Sequence, residues 1–79
     1  MIEKLQDRYF KTLYRYIKAI KDYDSDYAFG YASAEFRTTR EWLASLMSAK
    51  EFEEYEKTCL AKMVITFDIH LKALDFLIK

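Results

Sequence analysis

The chain holds no proline and a single glycine, Gly30, in 79 residues. Those two residue types are what interrupt helices: proline lacks an N–H and clashes with the preceding turn, and glycine carries an entropic cost. Without them long helices meet no obstacle, and the spacing of apolar side chains decides the fold.

Ile2, Leu5, Tyr9, Leu13, Tyr16, Ile20 and Tyr23 recur at spacings of three and four, one stripe of an amphipathic helix. Phe10, Tyr14 and Ile17 widen it, and Lys4, Arg8, Lys11, Arg15 and Lys18 run along the opposite side. A strand would need alternation by two, which does not persist. The spacing predicts a first helix from about Ile2 to Tyr23.

A turn belongs near Asp24 and Ser25, because the carboxylates of Asp22, Asp24 and Asp26 oppose the dipole of an ending helix and favour that of a starting one. The second helix offers two rival seams. One is Tyr27, Tyr31, Ala34, Thr38, Trp42 and Ser45; the other is Ala28, Ala32, Phe36, Leu43 and Met47. Gly30 sits inside it at a cost of about 1 kcal/mol relative to alanine. Thr38-Thr39-Arg40-Glu41 also has the form of a capping box, which leaves open a break near Thr38. The continuous helix is the preferred form.

Ser48-Ala49-Lys50-Glu51 marks the third helix start better: the serine oxygen accepts from an N–H three residues on while the glutamate reaches back. Phe52, Tyr55, Cys59, Met63, Phe67, His70, Leu74 and Leu77 form its stripe, predicting a long C-terminal helix. Loops of a few residues join antiparallel neighbours. The expected fold is all-α, an up-down-up three-helix bundle forming a single helical domain over residues 1–79.

Thirteen cations balance 13 carboxylates, where a dedicated nucleic-acid binder would show a basic excess. A lone cysteine excludes an internal disulfide, and with one histidine it excludes the familiar zinc patterns. No apolar run reaches the length of a membrane span and Met1-Ile2-Glu3-Lys4 opens no signal peptide, so the expected compartment is the cytoplasm. The composition has the cast of a small bacterial or phage accessory protein, though no motif carries that impression.

The end of the third helix holds more apolar surface than one inward arc can use. Ile65, Ile69, Ala73 and Phe76 add a second face beside Leu77 and the main stripe. Such a face is either covered within the chain or meets a second copy. Self-association is the leading expectation, making the protein a homodimer.

Candidates for chemistry are few. His70 has no carboxylate on its helical face, and Cys59 has no histidine one turn away. Glu51, Glu53, Glu54 and Glu56 splay over several faces and read as an acidic first turn. No cofactor, metal site or catalytic group is expected. Tyr27, Phe29 and Tyr31 cannot all face one core. They are candidates for contact with a protein partner, or else a packed helix start with Tyr27 and Tyr31 inward and Phe29 over the loop.

The favoured reading is thus a non-enzymatic protein–protein interaction module that modulates a larger protein. The alternative is a small DNA-binding regulator. It would use the stripe Lys4, Arg8, Lys11, Arg15 and Lys18, or a helix-turn-helix around residues 34–46 with Arg37 and Arg40 on the nucleic acid.

Overall fold

The computed structural model describes residues 2–23 and 25–78, the side chains from residue 75 onward excepted. It contains α1 (Ile2–Lys21), α2 (Asp26–Leu46), α3 (Ala49–Phe67) and a terminal 3₁₀ helix (Leu71–Ile78). No strand occurs among the described residues, and the protein is all-α as its periodicity predicts. The chain divides into two compact units, Met1–Ser48 and Ala49–Lys79.

The first unit is an antiparallel hairpin of α1 and α2. Leu5, Tyr9, Thr12, Leu13, Tyr16 and Ile17 of α1 are buried, with Ala32, Phe36, Thr39 and Leu43 of α2. Aromatic rings interleave along this seam. Phe36 lies 5.5 Å from both Tyr9 and Tyr16, and Phe29 lies 5.7 Å from Tyr16 and 6.2 Å from Tyr23. Thr12 enters the core because its hydroxyl donates to the Tyr9 carbonyl at 2.9 Å, so no polar atom is stranded.

Of the two seams α2 could use, the one containing Phe36 and Leu43 is inside, where Phe36 packs against both Tyr9 and Tyr16. Its rival, from Tyr27 to Ser45, is exposed along its whole length. Ser25 caps the helix in extended conformation, its Oγ accepting the Ala28 N–H at 3.1 Å. α2 then runs unbroken through Thr38. Thr38, the cap position of the Thr38-Thr39-Arg40-Glu41 pattern, is exposed in mid-helix, while Thr39 beside it lies buried on the seam.

In the second unit α3 starts directly after Ser48, as the capping pattern predicts. Phe52, Glu56, Cys59, Leu60 and Met63 form its buried stripe. The helix does not continue to the C-terminus. Asp68 takes φ 52°, and the Ile69 N–H donates to the Val64 carbonyl at 3.2 Å, the six-to-one bond of a Schellman cap. Glycine normally marks that position, and aspartate is among the few other residues that tolerate it. The apolar spacing continues past the cap, which is why the sequence reads as one longer helix. The His70 carbonyl accepts the Ala73 N–H at 2.9 Å and its Nδ1 accepts the Lys72 N–H at 3.2 Å, which starts the 3₁₀ helix.

Candidate interaction surfaces

Stopping α3 at Phe67 gives the apolar surplus a shape. Leu60, Ala61, Val64 and Ile65 of α3, with Leu71 and Leu74 of the 3₁₀ helix, line a groove of about 580 Å³. Lys57 supplies its one charge among the described residues. Ile65 is 82% exposed and Leu71 is also exposed, while Leu74 is buried at the base. Of the residues expected to carry self-association, Ile65 and Ala73 are exposed and Ile69 is half-buried. The side chains of Phe76 and Leu77 lie outside the described residues. Leu71 gains its place only through the cap at Asp68, which no helical periodicity signals.

The aromatic segment at the start of α2 reverses the packing arrangement expected of it. Phe29 turns in between Tyr16 and Tyr23, whereas Tyr27 is 83% and Tyr31 64% exposed. The physical reason is the seam: with Ala32 and Phe36 inward, Phe29 shares their side of the helix. Tyr27 and Tyr31, four residues apart, share the outer one. Trp42 continues this outer face at 54% exposure, and the losing seam was the signal for it in the sequence.

The basic stripe is only partly free. Lys11 pairs with Asp7 at 2.9 Å within α1, and Arg15 reaches across the hairpin to Glu35 at 2.8 Å. Lys4, Arg8 and Lys18 make no such pair among the described residues. Arg37 Nε donates to Ser33 Oγ at 3.3 Å, and Arg40 is half-buried with a partner of its own. A helix-turn-helix around residues 34–46 needs a turn there. The segment lies instead within the unbroken α2, which corrects that placement.

Cys59 is buried, and burial pushes its thiol above the ordinary 9.0; a hydrogen bond from Tyr55 and the nearby Lys62 charge only partly oppose this, while Glu56 adds to it. A raised thiol is the protonated, unreactive form at neutral pH. His70 spends Nδ1 on the Lys72 N–H. Glu51, Glu53 and Glu54 point outward, with Glu53 on Lys57 at 3.1 Å, while Glu56 is buried on the stripe. Among the described residues no three His, Cys, Asp or Glu side chains converge to hold a metal ion. No described helix is long and apolar enough to cross a membrane.

No protein-family model matches the chain, and neither a curated protein nor a solved structure does.

Proposed function

We propose that the protein is a non-enzymatic, cytoplasmic interaction module that pairs with a second copy of itself and modulates a larger protein. The groove at Ile65 carries this reading. An isoleucine held 82% in water forgoes most of the 1.5–3 kcal/mol, in order of magnitude, that its full burial would contribute. Among the described residues, five further apolar side chains and one charge stand around it. A surface of that kind is stabilised by being covered. A two-fold dimer covers it economically, because each Ile65 enters the partner's groove and one patch serves both sides.

Light scattering on the purified protein at high micromolar concentration tests the reading. The expected result is a dimer that Ile65→Glu converts to a monomer with unchanged far-ultraviolet circular dichroism. A wild-type protein that scatters as a monomer at that concentration removes the proposal.

The alternative of nucleic-acid binding along α1 has less support. Two of its five cations are committed to carboxylates, and positive charge does not exceed negative charge over the chain.

A further inference from the structure

The α1–α2 hairpin carries a second surface, made from different residues than the groove at Ile65. Lys4, Leu5 and Arg8 of α1 and Trp42 and Leu46 of α2 line a groove of about 390 Å³. Its floor is apolar at Leu5, and its α2 wall is an exposed indole beside an exposed leucine. The two charges on the α1 wall are both positive, and no carboxylate among the described residues lines it. Arg8 is shared with the next groove along the hairpin, lined also by Tyr31, Ala34, Glu35, Thr38 and Thr39. The one carboxylate there among the described residues, Glu35, is matched by Arg15 at 2.8 Å. The crease therefore keeps an uncompensated positive edge beside a wall bearing Tyr31 and Trp42.

We propose that this crease docks an acidic, amphipathic segment of another protein, its apolar side chains on Trp42 and Leu46 and its carboxylates on Lys4 and Arg8. Exposed Trp, Tyr and Arg are the residue types that dominate protein interfaces, most of all beside an apolar pocket. Cations along one edge of such a pocket favour a partner with the opposite charge and disfavour a basic one. A segment that is both acidic and apolar satisfies both.

Single-stranded nucleic acid would share the cations and could stack bases on the rings. It would leave Leu5 and Leu46 without a use. It would also need a longer row of free cations to follow its phosphates than this edge supplies. The observations favour a protein segment.

Trp42 is the single tryptophan, so its emission reports on the crease directly. The test titrates the full-length protein with three fluorescein-labelled probes: an amphipathic Leu/Glu peptide, its Leu/Lys counterpart, and a single-stranded oligodeoxythymidylate. Anisotropy of the probe and Trp42 emission are followed together. The expected result is saturable binding of the Leu/Glu peptide with a change in Trp42 emission, and weaker binding of the other two. The double substitution Lys4→Glu/Arg8→Glu should weaken that binding by about tenfold or more, as reversed charges repel the carboxylates. Trp42→Ala, read by anisotropy alone, should weaken it too; this side chain is exposed, so its removal leaves the core intact.

Equal binding of the acidic and basic peptides overturns the proposal, as does binding of the oligonucleotide in preference to both. Failure of all three probes to bind overturns it as well. None of these outcomes depends on whether Ile65 mediates a dimer.

Discussion

The ring of Phe36 stands 5.5 Å from that of Tyr9, the two planes tilted by 46°. On its other side the same ring is 5.5 Å from Tyr16. One α2 side chain thus fills the space between two α1 turns, and the hairpin's register is set there. Tilted aromatic pairs add about 0.5–1.5 kcal/mol each beyond the area they bury.

Phe36→Ala should therefore be among the most damaging single changes in the first unit. It loses the buried area, both ring contacts and the packing of the space they leave, for a cost of about 3–5 kcal/mol. Phe36→Leu keeps most of the volume and should cost clearly less. Urea unfolding followed by circular dichroism measures both. Equal effects of the two substitutions would show that the rings do not fix the register.

Gly30 makes the opposite case. It lies inside α2 without the positive φ that would require glycine, and a Cβ built there meets nothing within 4 Å. Gly30→Ala should stabilise the protein by about 0.5–1 kcal/mol, chiefly by reducing the freedom of the unfolded chain. The expected sign is a higher urea midpoint with an unchanged slope. A lower midpoint would mean that this position makes a contact absent from the monomer.

How much of this was legible in the sequence depended on whether the signal was periodic. The α1 stripe, the turn near Ser25 and the start of α3 after Ser48 follow from spacing and local hydrogen-bond chemistry. The choice between the α2 seams was less visible, because both have helical spacing. It turns on Phe36 fitting between Tyr9 and Tyr16, a tertiary fact. That choice in turn exposes Tyr27, Tyr31 and Trp42, so the candidate surface was visible only as a set of alternatives. The end of α3 was hidden altogether. Its stop signal is a backbone conformation at Asp68, where no glycine marks the C-cap.

Asp68 itself offers a direct test. Its φ of 52° lies in the left-handed region, which costs a residue with a side chain about 1–2 kcal/mol where glycine has no penalty. Asp68→Gly should hold or raise stability, while Asp68→Val, branched at Cβ, should lower it by at least about 1 kcal/mol. Hydrogen exchange at the Ile69 amide gives a local readout, since that N–H closes the cap on Val64. Faster exchange there in the valine variant is the expected result. No change in either measurement would mean that α3 continues past Phe67.

Cys59 lies 2% exposed on the α3 stripe, with its thiol raised above 9.0 by burial. The native state consequently keeps the thiol proton to a higher pH than the unfolded chain does. Below the unfolded value both states are protonated and the site's contribution to stability is fully present. As the pH rises beyond about 9, the unfolded chain releases the proton first and stability falls. Tyrosines and lysines titrate in the same range, so wild type must be compared with Cys59→Ala at each pH. Alanine leaves a small void, and the variant should be less stable at neutral pH. The gap between the two should then shrink as the solution is made alkaline, because the variant has no thiol to ionise. A gap that stays constant or widens would place the thiol in contact with water. In the folded protein a disulfide reagent should accordingly label Cys59 slowly at neutral pH, and promptly once urea opens the chain.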